Sequence, residues 1–137
     1  MAEGEVVLVV DDDLTLREMY GARLKEEGYA VIESDNGADA LKKAADQLPS
    51  VIILDIMMPK MNGIDVMTKL RANETTKDIP IIVLTALIQE IDKIKGLLTE
   101  HDAYLIKSEQ MPKDVIAKVN TALASKPKKA ATDAEQQ

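Results

Sequence analysis

The amino-acid sequence predicts a doubly wound α/β domain, in which a five-stranded parallel sheet is covered by helices on both faces. Five short apolar runs alternate with stretches of helical periodicity, which is the pattern of consecutive βαβ units. These runs are apolar almost throughout, as expected for strands whose two faces are both buried. Four of the five runs also carry a polar side chain at or just beyond their C-terminal ends. In an open parallel sheet, those ends form the edge at which ligands bind.

The first half of the chain is predicted to contain three strands and two helices. The strands are the apolar runs at residues 6–10, 29–32 and 51–54. The first helix should end at Gly28 and the second before Pro49, because glycine and proline commonly terminate helices. The apolar residues whose spacing predicts the buried sides of these helices are Leu16, Met19, Tyr20 and Leu24, followed by Ala38, Leu41, Ala44, Ala45 and Leu48.

The second half continues the same alternation with two strands and three helices. The strands are predicted at residues 79–84, introduced by Pro80, and at residues 103–106. The last helix opens at Pro112, since proline is well suited to the first helical turn. The apolar residues that predict the three helices are Ile64, Val66, Met67 and Leu70, then Ile88, Ile91, Ile94, Leu97 and Leu98, and finally Val115, Ile116, Val119 and Leu123.

The pattern therefore predicts one (βα)₅ domain over residues 5–124. From Ser125 to Gln137 the chain contains no large apolar residue. Such a segment cannot bury enough surface to offset the entropy of ordering, so a disordered C-terminal tail is expected at residues 125–137.

Composition narrows the classes of function. The formal net charge of −7 disfavours direct binding to DNA through its phosphate backbone. No apolar run approaches the roughly 20 residues that span a membrane, and residues 1–5 lack the features of a secretory signal. The chain has no cysteine, which excludes disulfides and thiolate chemistry. A cytoplasmic protein without membrane or DNA contacts is expected.

The polar residues at the strand ends predict a metal and phosphoryl site. Asp11, Asp12 and Asp55 would offer hard oxygen ligands to a partly hydrated Mg²⁺. Thr85 and Lys107 could donate hydrogen bonds to phosphoryl oxygens. Asp11 or the neighbouring Asp13 could instead be the N-cap of the first helix, since aspartate is favoured there, and for Asp13 the sequence leaves both roles open.

These residues occur in motifs that resemble the receiver domains of response regulators, over about residues 5–124. The matching segments are LVVDD at residues 8–12, LDIMMP at 54–59, MNG at 61–63, LTA at 84–86 and YLIK at 104–107. The resemblance implies a flavodoxin-like fold with strand order 2-1-3-4-5. It also implies a phosphorylation-operated switch of two-component signalling.

The resemblance assigns the central chemistry to Asp55. This residue would accept a phosphoryl group from a histidine kinase, from a histidine phosphotransfer protein or from a small phosphodonor. Mg²⁺ would be held by Asp11, Asp12, Asp55 and the main-chain carbonyl of Met57.

Further residues are assigned to switching. Lys107 and Thr85 would bind phosphoryl oxygens, and the small Ala86 would let their loop close. Tyr104 would move inward with Thr85 and reshape the surface of the fourth helix, fifth strand and fifth helix. Gly63 is expected to adopt a positive φ in the turn after Asp55.

Two pairs of positions concern lifetime and partner choice. The resemblance implies that the positions two residues after Asp55 and two residues after Thr85 flank the approach of hydrolytic water. Here these are Met57 and Leu87, and both are apolar, so a long-lived phosphoryl group is expected. Leu14 and Thr15 are expected to dock the phosphodonor. Leu14 lies off the predicted buried side of its helix, so it is either an exposed anchor or buried under a loop.

The sequence departs from the family after strand five. Ser108 stands where the family usually has proline, and the loop before Pro112 is one residue longer. A trans bond is expected before Ser108, because a cis bond there would cost about 2.5–4 kcal/mol. His101, the one histidine of the chain, is expected to be a loop residue and not a ligand.

The resulting hypothesis is a stand-alone signalling switch, not a metabolic enzyme. It would regulate a downstream protein by contact or pass the phosphoryl group along a phosphorelay, and a phosphorylation-dependent homodimer is a further partner state. An aspartate-based phosphatase is disfavoured because Met57 replaces the second acid such enzymes use. A flavin module is disfavoured because an acidic edge would repel the flavin phosphate, and a degenerate receiver because every required polar group is present.

Overall fold

Five parallel strands alternate with five helices in the computed structural model, which describes residues 4–86, 91–96, 98–99, 102–106 and 112–125. The elements are β1 (Val6–Val10), α1 (Leu14–Glu26), β2 (Ala30–Ser34), α2 (Gly37–Gln47), β3 (Val51–Asp55), α3 (Gly63–Ala72), β4 (Ile81–Thr85), α4 (Ile91–Lys95), β5 (Ala103–Ile106) and α5 (Pro112–Ser125). The order across the sheet is β2-β1-β3-β4-β5, so the predicted doubly wound, flavodoxin-like fold is confirmed.

The strand register aligns the C-terminal ends of the strands. Val10 at the end of β1 pairs with Ser34 of β2 on one side and with Leu54 of β3 on the other. Thr85 at the end of β4 pairs with Ile106 of β5. Residues that directly follow these positions therefore lie along one edge of the sheet.

Two apolar layers enclose the sheet, because successive side chains of a strand point to opposite faces. Val7 and Val9 of β1 pack with α1 and α5, whereas Leu8 and Val10 pack with α2 and α3. All residues of β3 and β4 are buried. Helices on both faces thus explain why the strands are apolar almost throughout.

The predicted buried side of α2 was partly wrong. Ala38, Ala45 and Leu48 are exposed, whereas Ala40 and Ala44 are buried in the core. Leu48 is the C-cap, with a left-handed φ of 47°. Its side chain therefore does not continue the buried side of the helix and is 54% exposed.

Several element boundaries differ slightly from the sequence prediction. β2 runs over Ala30–Ser34 instead of residues 29–32, and β4 begins at Ile81, after Pro80, which has no N–H to donate to a neighbouring strand. α5 reaches Ser125, where the tail was expected to start. Residues 126–137, His101 and Ser108 lie outside the described residues, as do Ile88 and Leu97 of the predicted fourth helix.

A buried ion pair joins α3 to the segment before β5. Arg71 pairs with Asp102, whose side chain is fully buried. The Asp102 carboxylate also accepts the N–H groups of Ile81 at 2.6 Å and Thr99 at 2.7 Å. This single carboxylate therefore holds together the starts of two neighbouring strands.

Tyr29 links the start of β2 to α5, since its hydroxyl donates a hydrogen bond to the side chain of Asn120. Burial raises the pKa of the Tyr29 phenol, and the charges of Glu27 and Glu5 raise it further.

Within the described part of the chain, no helix has the length and apolar character needed to cross a membrane.

Candidate functional site

Three carboxylates meet at the C-terminal edge of the sheet. Asp11 and Asp12 directly follow β1, and Asp55 is the last residue of β3. Ligand atoms from these three residues all lie within 4.8 Å of one another. Asp11 and Asp55 are buried, while Asp12 is exposed and open to water. The structure thus brings together the three acids that the sequence singled out.

The donor atoms of this cluster suit a hard divalent cation. Mg²⁺ prefers carboxylate oxygens and retains several waters, which the exposed position of Asp12 allows. Three carboxylates at this separation repel one another when ionised, and a divalent cation would offset that repulsion. The residues present therefore fit Mg²⁺.

The carboxylate of Asp55 is oriented by the chain that follows it. Its Oδ1 accepts a hydrogen bond from the N–H of Met57 at 3.2 Å. The main chain of Met57 consequently lies beside the acids, whereas its side chain is 49% exposed. This placement is compatible with a main-chain contribution from Met57 to the metal site.

Asp13 is the N-cap of α1, which decides between its two possible roles. Its Oδ1 accepts the N–H of Leu16 at 3.1 Å, and its φ of −90° is typical of a cap. Asp13 also donates its own N–H to Oδ1 of Asp11 at 2.9 Å. It supports the acidic site through its main chain while its side chain begins the helix.

The predicted positive φ at Gly63 was wrong. Among the described residues, positive φ values occur at Gly4, Gly28, Leu48 and Lys60. Gly63 is instead the first residue of α3 and donates its N–H to the carbonyl of Ile56 at 2.9 Å. A Cβ there would lie 2.6 Å from the carbonyl oxygen of Asp55, so glycine is required for close approach.

The switch residues are only partly described. Thr85 ends β4 and is fully buried, and Ala86 after it is exposed. Tyr104 of β5 is half-buried against the α2–α3 side of the core, and the ammonium of Lys95 lies 6.0 Å from its ring centroid. Lys107 and Leu87 lie outside the described residues.

The two positions expected to dock a phosphodonor are on the surface. Leu14 is the first residue of α1 and is 55% exposed, so the alternative that it is buried under a loop was wrong. Thr15 is also exposed.

A charged cluster that the sequence patterns did not single out adjoins the acids. Arg17 Nε lies 3.2 Å from Glu33 Oε1, and Lys43 lies 3.0 Å from Asp39. These side chains line a cavity of about 210 Å³, and the hydrogen bond from Lys43 lowers the pKa of Asp39. The available signal for Arg17 was its place in the first turns of a helix, where long side chains point back toward the N-terminus.

Comparison with known proteins gives concordant matches. The family model of the response regulator receiver domain matches residues 7–120. The chain is 38% identical over 120 residues to the phosphate regulon transcriptional regulatory protein PhoB of Pseudomonas aeruginosa, covering 88% of this chain and 52% of PhoB. It is 39% identical over 117 residues to the alkaline phosphatase synthesis transcriptional regulatory protein PhoP of Bacillus subtilis, covering 85% of this chain and 48% of PhoP.

The chain therefore spans about half the length of the curated relatives it matches. Among solved structures, the chemotaxis response regulator CheY4 of Vibrio cholerae superposes with a TM-score of 0.77 at 30% identity, covering 87% of this chain and 98% of CheY4.

Proposed function

This chain belongs to the response regulator receiver domain family, and from that membership we propose that it accepts a phosphoryl group on Asp55. The donor would be a histidine kinase or a histidine phosphotransfer protein. The observation that carries the proposal is the buried Asp55 carboxylate, which lies with Asp11 and Asp12 at the ligand-binding edge of the sheet. The protein would act as a signalling switch or as an intermediate in a phosphorelay.

The proposed step is a transfer between two nucleophiles. A carboxylate oxygen of Asp55 forms a bond to phosphorus while the phosphorus–nitrogen bond of the donor phosphohistidine breaks. The bond electrons return to the imidazole nitrogen of the leaving histidine. Catalysis of such a transfer depends on positioning and on stabilising charge, and the Met57 N–H supplies positioning by orienting the acceptor carboxylate.

Asp11, Asp12, Asp55 and the main-chain carbonyl of Met57 would hold Mg²⁺. When bound, the ion would neutralise charge on the transferring oxygens. The two buried acids provide fixed oxygen donors, and the exposed Asp12 leaves the site accessible to water and to the donor.

Two residues would then bind the phosphoryl group and respond to it. Lys107 would bind one phosphoryl oxygen as a point charge, and the hydroxyl of Thr85 would donate to another. The small side chain of Ala86 would let this loop approach. Tyr104, which is half-buried, would turn inward and change the surface made by α4, β5 and α5.

The phosphoryl group would be long-lived. Met57 and Leu87 are apolar and can neither orient nor activate water. General-base assistance is worth on the order of 10²-fold, so its absence lengthens the lifetime. Such a lifetime suits responses slower than second-scale control.

The phosphodonor would dock on the N-terminal turn of α1, where Leu14 presents an exposed apolar side chain beside Thr15. Leu14→Asp should slow transfer from a kinase but leave labelling by acetyl phosphate unchanged. Leu48→Asp is a matched control, because Leu48 is equally exposed but precedes β3 at the opposite edge of the sheet. Equal loss of both reactions in Leu14→Asp would contradict a docking role.

Signal output would pass through protein contacts. PhoB and PhoP are named as transcriptional regulatory proteins, and the present chain matches about half of each. We propose that this acidic receiver domain itself binds no DNA, acts in the cytoplasm on a protein target and can form a phosphorylation-dependent homodimer.

Intact-mass measurement after incubation with acetyl phosphate and Mg²⁺ tests the central proposal. One phosphoryl group should be added to the wild type, and none to Asp55→Asn or to a sample treated with a chelator. Asp46→Asn, which changes an exposed acid on α2, should be labelled like the wild type. A phosphoryl group retained in Asp55→Asn would refute the assignment.

A further inference from the structure

Arg17 connects the acid-bearing loop to the edge strand of the sheet. Its Nη1 donates a hydrogen bond to the main-chain carbonyl of Asp11 at 2.8 Å, and its Nε lies 3.2 Å from Oε1 of Glu33 on β2. The side chain is only 13% exposed. The guanidinium is therefore a largely buried link between β2 and the loop that carries Asp11 and Asp12.

Hydrogen bonds hold Asp11 at its main-chain N–H, its side chain and its main-chain carbonyl. Its N–H donates to the carbonyl of Ser34 at 3.1 Å, and its Oδ1 accepts the N–H of Asp13 at 2.9 Å. Arg17 holds the remaining main-chain group, the carbonyl. Because Arg17 does this with its side chain, a substitution can remove the hold without altering the loop sequence.

The anchor for Arg17 is itself fixed. Glu33 is pinned from α2, because Lys43 Nζ donates to its main-chain carbonyl at 2.6 Å. From the other side, α1 passes close over Glu33 at Gly21, where an added Cβ would lie 3.5 Å from Oε2. Because Glu33 is held in place, the side chain of Arg17 that pairs with it can restrain the Asp11 loop.

We propose that Arg17 is a positioning residue for the acidic site. It holds the main chain of Asp11 so that the carboxylates of Asp11 and Asp12 stay within reach of that of Asp55. This inference rests on the proposed function, since the property it affects is Mg²⁺ binding and phosphoryl acceptance at those acids. Arginine suits the task because its rigid fork presents separate N–H groups to a carbonyl and a carboxylate at once, whereas lysine is a point charge.

Arg17 could affect the site by positioning the loop or by its charge, and the two explanations predict opposite changes in Mg²⁺ affinity for Arg17→Met. A cation beside three carboxylates weakens their attraction for Mg²⁺. If Arg17 acted by charge alone, Arg17→Met would bind Mg²⁺ more tightly and Arg17→Lys would match the wild type. If Arg17 positions the loop, both variants bind Mg²⁺ more weakly.

The experiment measures Mg²⁺-dependent thermal stabilisation of the full chain and, without Mg²⁺, amide hydrogen exchange at Asp13. Arg17→Lys and Arg17→Met should each need about tenfold more Mg²⁺ to gain the same stabilisation as the wild type, as when an outer-shell partner of a metal ligand is removed. The Asp13 amide should exchange faster in both. Glu33→Gln should shift both measurements in the same direction, by less.

Arg23→Met is the matched control, because Arg23 lies on the same helix and pairs with Glu26 on the surface at 3.8 Å. It should match the wild type in both measurements. Wild-type Mg²⁺ dependence in Arg17→Lys, or tighter binding in Arg17→Met, would overturn the inference. If Arg17→Met fails to fold, Arg17→Lys and Glu33→Gln decide the question by the same criteria.

Failure of the proposed function gives a different result. In that case the wild type itself shows no stabilisation by Mg²⁺ and no label on Asp55. Faster exchange at Asp13 in the metal-free variants would still support the hold of Arg17 on the Asp11 loop, and unchanged exchange would refute it.

Discussion

Replacing Gly63 by alanine should destabilise the protein, although alanine is ordinarily the better helix former. A Cβ at this position would lie 2.6 Å from the carbonyl oxygen of Asp55 and 2.7 Å from Cα of Ile56. Both atoms belong to the main chain at the end of β3, so they cannot move aside as a flexible side chain would. Overpacking of this kind costs about 1–3 kcal/mol.

Gly21→Ala provides a control with the opposite expected sign. Gly21 lies inside α1, and its added Cβ would meet Glu33 at 3.5 Å and Val31 at 3.6 Å, which are ordinary contact distances. Removing a glycine from a helix interior should then stabilise the protein by about 0.5–1 kcal/mol. The two alanine variants should therefore differ in free energy of unfolding by roughly 1.5–4 kcal/mol.

Urea denaturation followed by circular dichroism measures this difference. With a typical slope of about 1–3 kcal/mol per molar urea, the midpoints of the two variants should be separated by roughly 1 M. Gly63→Ala should also slow labelling of Asp55, since the clash displaces the main chain of the phosphoacceptor. A Gly63→Ala protein as stable as the wild type would refute the close-approach explanation.

Four further outcomes are expected. Millimolar Mg²⁺ should raise the melting temperature, by the equivalent of about 2.7 kcal/mol at one hundred times the dissociation constant, and Asp12→Ala should remove most of that gain in thermal scans. Asp102→Asn should lower the free energy of unfolding by about 3–5 kcal/mol in urea, because it breaks a buried ion pair, and a loss under 1 kcal/mol would contradict that account. Because folding raises the pKa of Tyr29 from 10.0, the contribution of its protonated hydroxyl to stability is complete below pH 10.0 and is lost as the pH rises through the pKa of the folded state. Tyr29→Phe should therefore reduce the loss of stability at alkaline pH. Met57→Asn and Leu87→Glu should shorten the half-life of the phosphoryl group, and unchanged decay would show that these positions do not control it.

The strands and the site acids could be predicted because their physical requirements leave direct marks in the sequence. A strand buried on both faces must be apolar, and the runs that form β1, β3 and β4 are apolar for that reason. Asp11, Asp12 and Asp55 stand where those runs end, so a parallel sheet brings them to one edge. The strand order came from resemblance, since periodicity does not specify which strands are neighbours.

The inward side of α2 could not be predicted because alanine is tolerated both in cores and on surfaces. Ala44 and Ala45 are adjacent and chemically identical, yet the first is buried and the second exposed. The difference comes from how α2 rests on the sheet and α3, which is a property of the packed layers.

The sequence alone determined which chemical groups this protein has and in what order they follow the strands along the chain. Only the tertiary structure decided how those groups are supported. A glycine at position 63 is compatible with a left-handed turn or with a close approach, since both need the absence of Cβ, and the packing of α3 against β3 selects the second. The side chain of Arg17 could have extended into solvent, but the position of β2 places Glu33 where it draws the guanidinium onto the Asp11 loop. Side-chain direction depends on neighbours that are distant in sequence, and those neighbours are set when the layers pack.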